Sequence, residues 1–157
     1  MSRSLGPALP DDLRRALSRA DLFSRLGRAL PVVTVDDAGR PHPMLCSYLE
    51  LLAVDASTIR LAIGAASRSA RNLHARGAAT LLIIEPERTV YVKCRATGDR
   101  RVAGALERFV LRVEDVLEDA PAEWEGGVRI TGGIAYAPAP SLDAPEVQAT
   151  LALLRVE

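Results

Sequence analysis

Apolar and polar positions change period several times along this 157-residue chain. Leu13, Leu17, Leu22, Phe23 and Leu26 recur at helical intervals, with Pro10 and Asp11 ahead of them and Gly27 behind, so residues 10–28 read as helix. The pattern then shortens. Residues 30–35 are a β-branched run, Asp36-Asp37-Ala38-Gly39 is a turn, and residues 42–54 form a long, mostly apolar strand. Asp55-Ala56-Ser57 turns the chain again into a third strand, residues 58–63. Strands separated by turn chemistry at this spacing predict a β-meander.

The meander is interrupted at residues 64–67. One or two helical turns follow over 69–75, ending near Gly77, and then a buried strand over 78–84. Pro86-Glu87-Arg88 turns into a fifth strand, 89–97, where Val90, Val92, Cys94 and Ala96 face one way and Tyr91, Lys93, Arg95 and Thr97 the other. Residues 104–118 fit two periods. Leu106, Phe109, Val110, Val113, Val116 and Leu117 make a helical stripe, while Phe109, Leu111 and Val113 alternate as a strand. The barrel reached below requires a strand there. Residues 128–136 read as a further strand, and Ala137-Pro138-Ala139-Pro140 as a rigid link. Asp143 to Glu146 start a C-terminal helix whose Val147, Leu151 and Leu154 share a face. The expectation is one domain over 1–157, with an N-terminal helical segment at 1–28, about six strands, and a C-terminal helix at 141–157.

Composition narrows the function classes. Apolar residues make up 48%, enough for a core, and charged residues cancel to a net charge of zero. Nucleic acid is not expected as a partner, because its footprint is a basic face. Lys93 is the only lysine, a bias that genome composition explains. The apolar stretch at 78–84 is too short to span a bilayer, so no membrane is expected. Residues 1–20 carry Asp11, Asp12 and several arginines, unlike a signal peptide. Cys46 and Cys94 sit in apolar strands as buried free thiols rather than a disulfide, so the cytoplasm is the expected compartment.

The most informative stretch is Ser67-Arg68-Ser69-Ala70-Arg71-Asn72-Leu73. A strand runs into it and a short helix leaves it. A helix start offers unpaired N–H groups and a partial positive charge. An arginine fork grips a phosphate through two parallel bonds, and serine hydroxyls add neutral donors. The alternative on composition alone is an ordinary capped helix with solvated arginines. His42 and His74 do not have the spacing of a metal site. His42 is expected in a turn, and His74 toward solvent or a neighbouring subunit. Tyr48, Tyr91 and Tyr136 read as core or interface residues.

That stretch, followed by the apolar strand 78–84, resembles the pyridoxamine 5′-phosphate oxidase family and its FMN-binding split-barrel relatives. There a Ser-Arg-Lys-Ala-type segment precedes a strand of the Val-Ser-Leu-Leu kind. Glu87-Arg88-Thr89-Val90-Tyr91-Val92 resembles the Glu-Arg-Gln-Val-x-Val strand of the same enzymes, and the two motifs agree in order and spacing across residues 30–98. The resemblance implies a mainly β fold with flanking helices, a split β-barrel of about six antiparallel strands. It implies FMN, or alternatively the deazaflavin F420, held between the subunits of a homodimer.

The phosphate role falls on Arg68 and Ser69, with Ser67, Arg71 and Asn72 as helpers from the same helix start. Thr89 stands where the family has a flavin-contacting glutamine. Met44, Leu45, Cys46 and Ser47 form the strand bordering the ring. Ser69 replaces a family lysine, and the tail that contacts the pyridoxal substrate is absent. The implied activity is that of an FMN-dependent oxidoreductase acting on a small molecule other than pyridoxamine phosphate. The alternative is a dimeric flavin- or deazaflavin-binding module without turnover. The flavin carries the redox chemistry, so no residue is singled out as catalytic, the cysteines included. The face of Val147, Leu151 and Leu154 and the long second strand are the expected dimer contacts.

Overall fold

The computed structural model describes residues 2–86 and 88–157. Glu87, part of the second motif, lies outside them. In chain order the elements are β1 (Ser2–Gly6), α1 (Asp11–Ala16), β2 (Arg28–Val35), β3 (Pro41–Ser47), β4 (Leu51–Ala53), β5 (Thr58–Gly64), α2 (Arg68–Arg76), β6 (Ala78–Glu85), β7 (Arg88–Ala103), β8 (Leu106–Asp119), β9 (Ile134–Ala135) and α3 (Pro145–Arg155). The strands form one antiparallel sheet in the order β3-β2-β6-β7-β8-β5-β4, with β1 on β8 and β9 on β2. This is the mainly β, split-barrel architecture with few helices.

The β7–β8 hairpin is the spine. β8 shares its first half with β5 and its last residues with β1, while β7 lines its whole length. Register shifts at Lys93/Cys94 and between Ala96 and Arg100 bend this hairpin, as bulges do. Alternation then sorts the side chains: Val90, Val92 and Cys94 are buried, whereas Lys93 and Arg95 are exposed. On β2 the inward positions are Leu30, Val32 and Thr34, all 1% exposed or less. Leu13 and Leu17 cover the core from the α1 side. Within residues 104–118, Gly104 and Ala105 turn the chain and the rest is strand. The helical stripe there was the accident of a strand buried at Phe109, Leu111, Val113 and Val116.

Four expectations are corrected. The N-terminal helix covers only Asp11–Ala16, because Ser18 Oγ bonds the carbonyl of Arg15 and accepts from Ala20 N, competing with the helical ladder. Ahead of it lies β1, a strand of mostly polar residues that pairs with the end of β8. The strand expected over 42–54 breaks after Ser47, where a capping box between Ser47 and Glu50 starts a 3₁₀ turn. Of residues 128–136, only Ile134 and Ala135 pair in the sheet; four glycines at 126–127 and 132–133 deprive the segment of regular strand geometry. With the extra short strands the sheet has nine members rather than about six.

The apolar face of α3 is covered within the chain: Leu151 and Leu154 are buried, and Leu154 packs with Ala62, Leu52 and Leu106. It is therefore not an open dimer contact. Arg60 Nη1 donates to the carbonyl of Leu154 at 2.9 Å, and the fully buried Arg108 donates to Val156 O, so two guanidiniums satisfy carbonyls at the end of this helix. No helix among the described residues is long and apolar enough to cross a membrane.

Candidate functional site

The strand-to-helix passage from β5 to α2 is built by Ser67. Its backbone is extended (φ −69°, ψ 157°) and its Oγ accepts from Ala70 N at 3.1 Å, an N-cap arrangement. Its carbonyl takes the next donor, Arg71 N, at 3.3 Å. The N–H groups of Arg68 and Ser69 stand at the open end of the helix, where the helix dipole is positive. Gly77, at φ 67°, closes the other end with its N–H on Leu73 O.

Arg68, Arg71 and Asn72 line a cleft of about 350 Å³ whose opposite wall is the β2–β3 turn, Asp36, Asp37, Ala38 and Arg40. Arg71 Nη1 donates to Ala66 O at 2.8 Å, which lays its side chain back along the helix start. The Arg68 side chain has no hydrogen bond or ion pair among the described residues. On the facing wall Asp36 accepts from Arg40 N at 2.8 Å. That bond, with the Arg40 guanidinium nearby, holds its carboxyl below the usual range. Arg76 Nη2 donates to Asp37 O at 2.6 Å and ties the turn to α2. Three guanidiniums and two carboxylates thus border the cleft, a net positive rim. It suits an anion, with Arg68 the free fork.

The other expected residues are placed as follows. Ser69 is 2% exposed and turned into the protein, not toward the cleft. On β3, the edge strand, Met44 is half-buried, Leu45 is 52% exposed and Cys46 is buried; Ser47 is committed to its cap, with Glu50 Oε2 accepting from its N–H at 2.6 Å. This strand runs away from the cleft, with Met44 opposite Val32 on β2. Thr89 is set apart. It pairs with Ile84 at the far end of β6, five residues, or about 17 Å, from Ala79 beside Thr34. Buried there, Thr89 lines a second cleft of about 280 Å³ with Arg88, Asp119, Pro121, Val128 and Ile130. Within one chain, Arg68, Arg71 and Asn72 come together, and Thr89 does not join them.

Burial governs the thiols. It pushes Cys94 up to about 12 and Cys46 further still, with Glu50 adding to the effect at Cys46. Burial thus disfavours the reactive thiolate form of each. His42 is not in a turn: it sits in β3 opposite Thr34. His74, on α2, is exposed to solvent on one side and engaged on the other. Its Nε2 lies 3.0 Å from the buried Glu107 and its ring packs on Phe109. No group of three or more metal-ligating side chains occurs among the described residues. Tyr48 is buried under the guanidinium of Arg25, 5.1 Å from its ring centre.

Thr34 and Arg40 escaped the sequence reading. Thr34 had a signal, being the one polar residue at an inward position of β2. Arg40 had none, because its role depends on how the β2–β3 turn folds toward α2.

No protein-family model and no curated protein sequence matches this chain. Solved structures do. A candidate pyridoxamine 5′-phosphate oxidase from Lactobacillus delbrueckii superposes with a TM-score of 0.54 at 14% identity, over 73% of this chain and 98% of that one. An FMN-binding protein from Syntrophomonas wolfei gives 0.55 at 13% identity, over 72% and 90%. A HupZ variant from Group A Streptococcus gives 0.52 at 13%, over 66% and 99%. Likeness at this level of identity is likeness of architecture, and by architecture the chain is a split barrel of the kind these pyridoxamine 5′-phosphate oxidase-type and FMN-binding structures share.

Proposed function

We propose that this protein binds FMN, with the phosphate held at the start of α2 by Arg68, Arg71 and the open N–H groups of the helix. The observation that carries the reading is Arg68, a guanidinium without a partner among the described residues, in a net positive cleft at a capped helix start. Buried or cleft-lining arginine forks of this kind recognise phosphate through charge-assisted, bidentate bonds. The fold supports the same ligand, since a solved split barrel of this architecture is an FMN-binding protein. Ser69 contributes through its backbone N–H rather than its buried hydroxyl.

Bound FMN would supply hydride and electron transfer. The protein's part is to fix the phosphate, present β3 to the ring and exclude water. The activity that follows is that of a cytoplasmic FMN-dependent oxidoreductase. We take its substrate to be a small molecule other than pyridoxamine phosphate. A homodimer completes the site. The edge strand β3 leaves Leu45 exposed, and Thr89 lines a different cleft from Arg68, so the two motifs would meet one flavin across a second subunit.

Absorption and reduction test this. Protein reconstituted with FMN and freed of excess should retain a flavin absorption band that NADH or NADPH bleaches and air restores. Retention without bleaching assigns a binding module without turnover. Absence of retained flavin contradicts the reading.

A further inference from the structure

Thr34 and Asn72 are both buried, at 0% and 5% exposure, in a protein whose other inward β2 positions are aliphatic. Asn72 Nδ2 donates to Thr34 Oγ1 at 2.9 Å, and Thr34 Oγ1 donates to the carbonyl of His42 at 3.3 Å. The hydroxyl has one proton. With that proton on His42 O, it faces Asn72 only as an acceptor, which fixes the amide with its NH₂ inward. The relay runs from β3 through β2 to the second turn of α2, and Asn72 also lines the anion cleft.

Other polar ties reach α2 nearer its C-terminal end, His74 on Glu107 and Arg76 on the carbonyl of Asp37; nearer its start the remaining contact with the sheet is apolar, through Ala70 and Leu73. Apolar contacts hold the helix down without fixing its register. A buried, directional bond does fix it, and the alternative is an unpaired buried amide.

We infer that Thr34 is a positioning residue for the cleft: through Asn72 it sets where the first turn of α2, with Arg68 and its open N–H groups, stands over the β2–β3 turn. This rests on the reading that the cleft takes the phosphate of FMN. Thr34 does not itself line the cleft; it reaches it only through Asn72. The relay's β3 end is the backbone carbonyl of His42, beside the turn and ahead of the ring-bordering stretch that begins at Met44, so its effect falls on the phosphate rather than the ring.

Thr34→Val keeps the shape and removes the acceptor; Thr34→Ser keeps the hydroxyl. FMN and riboflavin affinities are measured by flavin fluorescence for the wild type and both variants, with melting temperatures alongside. Thr34→Val should weaken FMN on the order of tenfold and leave riboflavin within twofold, and Thr34→Ser should restore FMN binding even where its melting temperature stays low. Equal losses for both ligands, or undiminished FMN binding by Thr34→Val, overturn the positioning role while leaving the flavin reading intact. A wild type that binds neither ligand overturns both.

Discussion

His74 Nε2 lies 3.0 Å from Oε2 of Glu107, a carboxylate only 3% exposed on β8. Arg100 closes the group, its Nη1 3.1 Å from His74 Nδ1 and 3.6 Å from the second Glu107 oxygen. With Arg100 donating to Nδ1, the ring proton sits on Nε2 and is given to Glu107. The arrangement joins α2 to the β7–β8 hairpin, and removing His74 leaves a buried carboxylate short of its donor. His74→Ala should therefore cost about 1–3 kcal/mol, or roughly 3–10 °C in melting temperature. In a Glu107→Gln background the same change should cost clearly less. Denaturant unfolding of the four proteins measures the coupling, and strictly additive losses would contradict it.

Glu50 predicts a pH effect of definite sign. Burial raises its carboxyl from the ordinary 4.5, and the Ser47 N–H bond offsets this only in part. An acid raised on folding favours the protonated form, so stability is full below the ordinary value and falls as pH rises through the raised one. Glu50→Gln keeps an acceptor for the cap without the charge. It should match the wild type near pH 4 and exceed it at pH 7 by up to about 1 kcal/mol. Melting curves across that range check this; a variant less stable at pH 7 than at pH 4, relative to wild type, reverses the sign.

The thiols should be silent. With Cys94 pushed up to about 12 and Cys46 higher, the native protein should label slowly with a thiol reagent at pH 8, and both cysteines should label at once in denaturant. Cys→Ser changes should leave flavin binding and any turnover intact. Fast native labelling coupled to loss of activity would show a reactive cysteine.

Much of this fold is written in alternation that survives without tertiary help. β2, β5 and β6 were legible as short apolar or β-branched runs bounded by turn residues, β7 because its buried and exposed positions alternate over 89–95, and α2 because Ser67 and Gly77 bracket it. The N-terminal helix was overread because leucines at helical spacing do not reveal Ser18 capturing the Arg15 carbonyl. β1 was invisible because a polar edge strand has no core face; its partner is the end of β8, more than 110 residues away. At the site, Arg68 and Arg71 were found because a cap, a helix start and two cations are consecutive in sequence. Thr34 and Arg40 come from another hairpin, and only the pairing of β2 with β6 brings them to α2.

Arg68 is the centre of the proposed phosphate site, and one pair of titrations tests its role most directly. FMN and riboflavin are titrated into the wild type and Arg68→Ala. Loss of a charge-assisted bidentate contact costs about 1.5–3 kcal/mol, so FMN affinity should fall by roughly tenfold to a hundredfold or more. Riboflavin has no phosphate, and its weaker binding should be unchanged. Equal losses for the two ligands, or FMN binding that survives the substitution undiminished, would contradict a phosphate site at the start of α2.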